Sequence, residues 1–96
     1  MKEIYYPAQI EQDEDGVYVV SFTDFRGVTD GENIKEAYEN AIELISDHFE
    51  ALKILNEEIP VPSERKEGDI MIPYRLAHIS ELETLKKHDY HLALTV

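Results

Sequence analysis

Asp15-Gly16-Val17-Tyr18-Val19-Val20-Ser21-Phe22 is the stretch that decides the fold, because a turn signal runs directly into a strong strand signal. Gly16 suits the positive φ of a tight turn, and residues 17–22 are rich in branched and aromatic side chains. Residues 4–11, before the turn, have a similar composition with loose alternation. Together these segments predict a β-hairpin of two strands.

Proline and glycine divide the remainder of the first 32 residues. Pro7 cannot donate a hydrogen bond to a sheet, so it favours an edge position or an early residue of the first strand over a central one. Asp24-Phe25-Arg26-Gly27 predicts a second turn, and Val28-Thr29 predicts a short third strand. Asp30-Gly31-Glu32 predicts the end of that strand. The N-terminal third is therefore expected to be a three-stranded meander.

A long helix follows, because apolar residues recur three and four positions apart. These residues are Ile34, Ala37, Tyr38, Ala41, Ile45, His48, Phe49, Leu52 and Leu55. Asn33 and Glu36 form a capping-box pattern, in which each side chain accepts a hydrogen bond from the other's backbone N–H. The helix is predicted to begin at Asn33 or Ile34 and to end near Leu55, with Asn56 as its C-terminal cap.

The rest of the chain predicts an extended connector, a strand and a second helix. Pro60 and Pro62 exclude helix from the connector, and residues 69–72 have the composition of a fourth strand. A shorter helix is predicted from the apolar spacing of Leu76, Ile79, Leu82 and Leu85. An extended tail with Leu92, Leu94 and Val96 on one side completes the chain. The element order β-β-β-α-β-α predicts an α+β fold.

The length and composition limit the classes of protein to which the chain can belong. The chain has 96 residues, which fits one compact domain, and its hydrophobic fraction of 43% is that of a folded protein. The absence of Cys excludes disulfides and thiolate metal sites. No segment approaches the ~20 apolar residues of a membrane span, and the N-terminus lacks the apolar core of a signal peptide. We therefore expect a cytoplasmic protein without a membrane segment.

The charge is strongly negative and unevenly distributed. The formal net charge is -12, and residues 1–63 hold four Lys or Arg against fifteen Asp or Glu. Residues 64–96 hold five basic residues against six acidic ones. A phosphate backbone would be repelled by the first part and attracted only weakly by the second. The charge therefore favours a cationic partner over a nucleic acid.

The segments between residues 4 and 72 resemble the HicB antitoxin family in their order and spacing. The matching segments are Asp-Gly-Val-Tyr-Val-Val-Ser-Phe at 15–22, Asp24-Phe25, Gly27-Val28-Thr29-Asp30-Gly31-Glu32, Glu36-Ala37 and Glu58-Ile59-Pro60-Val61-Pro62-Ser63. The resemblance implies a truncated ribonuclease-H-like domain of β-β-β-α-β order. It also implies that the chain binds and silences HicA, a small basic toxin that cleaves RNA.

The resemblance also suggests a division of the chain. Family members commonly continue into a helix-turn-helix or ribbon-helix-helix segment that binds operator DNA, whereas only 24 residues follow Ile72 here. We assign residues 1–72 to a partner-binding domain. Residues 73–96 are expected to form a short helix and tail, a candidate oligomerisation segment without a complete DNA-binding domain.

Six residues are candidates for partner binding. Four of them, Glu36, Glu39, Glu43 and Asp47, form with Glu50 a row on the helix side opposite the apolar residues. Like charges at this spacing each cost the helix roughly 0.2–0.5 kcal/mol, so partner binding is one explanation and a solvated face that confers solubility is the other. Asp24 and Phe25, in the second turn, complete the set. The alternative for Phe25 is a ring folded back beside Phe22 on the helix.

Patterns that would indicate catalysis are weak. A metal-dependent ribonuclease could use Asp13, Asp15, Asp24 and Asp30, but turn propensity accounts for all four. His88 and His91 have only Asp89 nearby as a further ligand, and His48 falls among the apolar residues. We therefore expect no catalytic residue, metal or cofactor.

The sequence as a whole predicts a non-catalytic, homo-oligomeric antitoxin that covers the RNA-binding or catalytic face of a basic HicA-like toxin. The first alternative is a DNA-binding autorepressor acting as an oligomer, although we expect no DNA binding by this chain alone. The second is the metal-dependent ribonuclease.

Overall fold

The fold was derived from a computed structural model, which describes residues 2–76. Four strands and one helix lie in this range: β1 (Lys2–Gln12), β2 (Tyr18–Phe22), β3 (Val28–Gly31), α1 (Ile34–Ile54) and β4 (Ile70–Leu76). The strands form one antiparallel sheet in the order β3-β2-β1-β4. The helix α1 packs against β2, β3 and β4. The predicted α+β class is thus confirmed.

The β1–β2 hairpin forms as predicted. Its register runs from Ala8 opposite Phe22 to Gln12 opposite Tyr18. The turn is closed by the Asp13 N–H, which donates to the Val17 carbonyl at 2.8 Å. Gly16 has a φ of 85°, a conformation that favours glycine, as the sequence predicted.

The predicted edge or early position of Pro7 is wrong, because β1 lies between β2 and β4 and Pro7 lies in the middle of β1. The two neighbours of β1 barely overlap: β4 pairs with residues 2–8 and β2 with residues 8–12. Just beyond the last β2 pair, the Thr23 N–H donates to the Pro7 carbonyl at 3.3 Å. The reciprocal hydrogen bond is the one a proline cannot make, so Pro7 lies where the β2 ladder ends.

The third strand is longer than predicted and includes Asp30 and Gly31. A β-carbon on Gly31 would lie 2.3 Å from the Ala37 backbone nitrogen, so only glycine allows the helix to approach β3 this closely. On the open edge of β3, the Asn40 side-chain amide donates to the Asp30 carbonyl at 2.8 Å. The composition of Asp30-Gly31 favours a turn, but packing against the helix holds both residues in β3.

The fourth strand is also longer than predicted, since it continues through Pro73 to Leu76. A proline is tolerated there because β4 is an edge strand of the described sheet. Leu76 belongs to β4, and its assignment to a second helix is wrong. The rest of that predicted helix and the predicted tail lie outside the described residues.

The ends of α1 agree with the prediction in most respects. Asn33 is the N-cap, and its side-chain oxygen accepts from the Glu36 N–H at 2.8 Å. The Glu36 carboxylate accepts from the Glu32 N–H instead of the predicted Asn33 N–H. At the other end Asn56 has a φ of 57°, and the Glu57 N–H donates to the Leu52 carbonyl at 2.8 Å. This is a Schellman cap with asparagine in the left-handed position.

The core lies between the helix and one face of the sheet. Its buried residues are Ile4, Tyr6, Ala8, Val20, Phe22, Ala37, Ala41, Ile45, Phe49, Ile59, Ile72 and Tyr74. Phe49 is the centre of an aromatic group, with the rings of Tyr6 and Tyr74 edge-on at 5.0 and 4.7 Å between centroids. Two residues of the predicted apolar face are exposed: Ile34 in the first turn, at 58%, and Leu55 beyond the last turn, at 66%. Within residues 2–76, no helix is both long and apolar enough to cross a membrane.

Candidate partner-binding surface

The predicted row of acidic residues on α1 exists as a continuous exposed surface, which we call the acidic row. It consists of Glu36, Glu39, Glu43, Asp47 and Glu50. At about 100° per residue, the row lies on the helix side opposite Ala41, Ile45 and Phe49. The core therefore orients these carboxylates into solvent without contacting them.

The two ends of the acidic row have local partners, whereas its middle does not. Glu36 takes part in the N-terminal cap. Glu50 forms an ion pair with Lys53, with 3.1 Å between carboxylate oxygen and Nζ. Among the described residues, no hydrogen-bond or ion-pair partner contacts Glu39, Glu43 or Asp47. The middle of the row therefore retains an uncompensated negative charge over about two helical turns.

Asp24 is held by a distant part of the chain. Its carboxylate accepts a hydrogen bond from the Ser63 N–H at 2.9 Å and another from the Ser63 hydroxyl. The Tyr6 hydroxyl donates to the Pro60 carbonyl at 2.6 Å, which fixes the same connector at a second point. The turn after β2 and the proline-rich connector are thus fastened together, and Asp24 has a structural role that the sequence did not reveal.

The Phe25 ring is folded back onto the helix, which is the second of the two interpretations that the sequence allowed for this residue. It stacks on Phe22 with 4.6 Å between centroids and on His48 with 4.5 Å, at interplanar angles of 27° and 14°. The centroid of Phe49 is 5.4 Å away. Both faces of Phe25 are covered, so only its edge is available to a partner. Contact of a partner with Phe25 stays a prediction.

The carboxylates considered for a metal site do not converge. Asp13 accepts from the N–H groups of Asp15 and Val17 at 2.9 and 3.0 Å and so stabilises the hairpin turn. Asp24 is held by Ser63, and Asp30 lies in β3. No three His, Asp or Glu side chains within residues 2–76 lie close enough together to hold a metal ion. His88 and His91 lie outside the described residues.

Two carboxyl groups away from the acidic row have lowered pKa values. Hydrogen bonds from the Gln9 side chain and the Lys66 N–H, both at 3.0 Å, hold the pKa of Asp69 below its usual value. Hydrogen bonds from Tyr5 at 2.7 Å and Arg75 at 2.9 Å lower the pKa of Glu3. The bond to Glu3 in turn raises the pKa of the Tyr5 hydroxyl. Both groups join segments far apart in sequence, so their role is structural.

Sequence reasoning missed two residues near these features. Ser63 holds Asp24, but nothing in the local sequence points to a contact across 39 positions. Ile54 is 77% exposed at the last position of α1. Its signal was present in the sequence, because the projection that reveals the acidic row also places Ile54 on that side of the helix.

The sequence is similar to those of known proteins. Residues 5–87 match a family described as the HicB_like antitoxin of a bacterial toxin-antitoxin system. Antitoxin HicB 1 of Photorhabdus laumondii subsp. laumondii is 33% identical over 78 residues, which cover 80% of this chain and 50% of that protein. The chain thus spans about half the length of this curated relative. No solved structure gives a significant match.

Proposed function

The chain belongs to the HicB-like antitoxin family of bacterial toxin-antitoxin systems, and from this membership we propose that it neutralises a small basic toxin of the HicA type. The acidic row covers the RNA-binding or catalytic face of the toxin. RNA is then excluded because the face is occupied and because the carboxylates compete with phosphates for its basic side chains. The observation that carries the proposal is the exposed, unpaired middle of the row, at Glu39, Glu43 and Asp47.

These carboxylates do not stabilise the isolated chain. Adjacent members of the row are three or four residues apart, and each such pair costs roughly 0.2–0.5 kcal/mol. The helix has its caps at both ends and a buried face, so the middle of the row adds nothing to its stability. A basic partner would turn this repulsion into attraction, which speeds association and excludes partners of the wrong charge.

Neutralisation of this kind requires no chemistry from the antitoxin. RNA binds a protein largely through phosphate contacts with basic side chains, so carboxylates held against those side chains compete directly with RNA. We propose that the chain acts by binding alone and has no catalytic activity. Asp24 and Phe25 belong to the proposed contact surface through the exposed parts of their turn.

Several finer features belong to the same proposal. A truncated ribonuclease-H-like fold is supported by the β-β-β-α-β order of the described elements. Self-association through the segment that follows β4, within residues 73–96, is proposed from the apolar spacing of Ile79, Leu82 and Leu85 and of Leu92, Leu94 and Val96. Sedimentation measurements on the full chain test the self-association, and a gel-shift with its own promoter is expected to show no DNA binding.

We expect the gene adjacent to the gene for this chain to encode a small basic protein. That protein is the probe in the binding experiment. Purified chain should bind it and stop its cleavage of RNA. Glu39→Lys combined with Glu43→Lys should weaken this protection at least about tenfold. The matched control is Glu64→Lys with Glu67→Lys, an equal change of charge at exposed positions outside the helix. Equal loss in both double variants, or no binding by the unmodified chain, would contradict the proposal.

A further inference from the structure

One large apolar side chain of the described residues lies outside the hydrophobic core and is mostly exposed. Ile54 is 77% exposed, more than Ile34, Leu55, Tyr5 or any other exposed large hydrophobic residue described in this structure. At about 100° per residue, Ile54 falls in line with Glu36, Glu43 and Asp47. It therefore extends the acidic row by one position beyond Glu50.

No feature of the described fold accounts for an isoleucine here. Ile54 is absent from the core cluster and from the partly buried residues packed against it. The C-terminal cap is made by backbone groups of Leu52, Lys53, Asn56 and Glu57 and does not use the Ile54 side chain. Isoleucine is a poorer helix former than Lys, Glu or Ala, because its branched side chain loses rotamer freedom. A charged or small residue would serve the isolated chain better.

We propose that Ile54 is the apolar contact at one end of the toxin-binding surface, an inference that rests on the proposed function. The partner is then a basic protein with an apolar side chain or shallow apolar depression beside its basic residues. At 1.5 Å per residue, that apolar feature lies about 10 Å from the contact with Asp47 and about 16 Å from the contact with Glu43. The helix thus presents four turns of carboxylates and one apolar terminus on a single side.

The two parts of this surface have different tasks. Charge pairs that remain wet accelerate encounter and set orientation, but they contribute little to the lifetime of a complex. A buried apolar side chain that is fully desolvated on binding slows dissociation, and a few such residues dominate most interfaces. Charge complementarity along the acidic row therefore positions the toxin, and Ile54 retains it.

The test compares Ile54→Ser with Ile34→Ser in the full chain. Both residues are exposed isoleucines of the same helix, but Ile34 lies on the side that carries the buried residues. The probe is the basic protein encoded beside this chain, and the readouts are dissociation rate and the salt dependence of association. We expect Ile54→Ser to speed dissociation at least about fivefold with an unchanged salt dependence. Ile34→Ser should leave both unchanged, and Ile54→Leu should restore slow dissociation.

The outcomes separate this inference from the proposed function. If the unmodified chain binds and Ile54→Ser dissociates at the same rate, the role of Ile54 is overturned while the antitoxin function stands. If Ile34→Ser speeds dissociation as much as Ile54→Ser does, the effect is not local to Ile54 and the inference is also overturned. If the unmodified chain does not bind, both the function and the inference fail. Thermal unfolding of each variant shows that the differences arise in folded protein.

Discussion

The Asp24 carboxylate accepts two hydrogen bonds from Ser63, one from the backbone N–H at 2.9 Å and one from the side-chain hydroxyl. The two residues are 39 positions apart, in the turn after β2 and in the connector that leads to β4. Together with the bond from Tyr6 to the Pro60 carbonyl, they fix the path of a segment without helix or strand. Because these contacts fix the connector, they explain how a segment with paired prolines leads to a β4 that pairs with β1.

Removing this link should destabilise the chain. Asp24→Ala is expected to lower the free energy of unfolding by about 1–2 kcal/mol, because both hydrogen bonds to a carboxylate are lost. Ser63→Ala should lower it less, since the backbone N–H can still donate. Urea unfolding of both single variants and the double variant gives the coupling between the residues. Strict additivity of the two losses would show that the hydroxyl bond contributes nothing, and unchanged stability of Asp24→Ala would show the same of the whole link.

Gly31→Ala should lower the free energy of unfolding more than the addition of one methyl group usually does. The new β-carbon would lie 2.3 Å from the Ala37 backbone nitrogen, so the helix or β3 must move, at a cost of at least about 2 kcal/mol. Gly68→Ala is the comparison, because nothing lies within 4 Å of its added β-carbon. It has a φ of 89°, and the strain there costs roughly 1 kcal/mol. A larger loss for Gly68→Ala in urea unfolding would refute the close contact.

The N-terminal cap of α1 can be tested separately from the core. Asn33→Ala removes the acceptor for the Glu36 N–H and should lower the free energy of unfolding by about 1 kcal/mol. Asn33→Ser should retain most of the stability, because serine also caps helices well. The measurement is thermal unfolding followed by circular dichroism. Equal stability of the alanine and serine variants would show that the cap is unimportant.

Acid should weaken the fold partly through Asp69. Because hydrogen bonds from Gln9 and Lys66 lower the pKa of Asp69, its ionised form is favoured by folding. This contribution is present above the ordinary aspartate value of about 3.9 and is lost as the pH falls through the lowered folded value. Asp69→Asn and Gln9→Ala should each reduce the loss of stability on acidification below about pH 5. An unchanged pH profile in both variants would exclude this role.

The helix could be predicted closely because its signals are local. The spacing of Ala37, Ala41 and Ile45, with Asn33 and Asn56 at the ends, is contained in one segment. The hairpin was predicted for the same reason. The exposure of the acidic row followed from helix geometry alone, since the face opposite a buried stripe must meet solvent.

Features that depend on distant pairing could not be predicted in this way. Pro7 suggested an edge strand, but its tolerance inside the sheet depends on where β2 happens to end. The extension of β4 through Pro73 depends on its edge position, which is set by pairing with β1. The partner of Asp24 lies in the proline-rich connector, 39 positions away in sequence. The exposure of Ile34 and Leu55 reflects the packing partners that α1 meets, which periodicity does not describe.

The central claim is that the acidic row attracts and positions a basic toxin. Stopped-flow association of the chain with the neighbouring basic protein tests it most directly, over salt concentrations at which the Debye length falls from about 30 Å to about 3 Å. We predict that association of the unmodified chain slows steeply with salt. The Glu39→Lys and Glu43→Lys double variant should associate more slowly at low salt, with a flatter dependence, and should converge with the unmodified chain at high salt. The same rates and the same slope for both proteins would contradict the account.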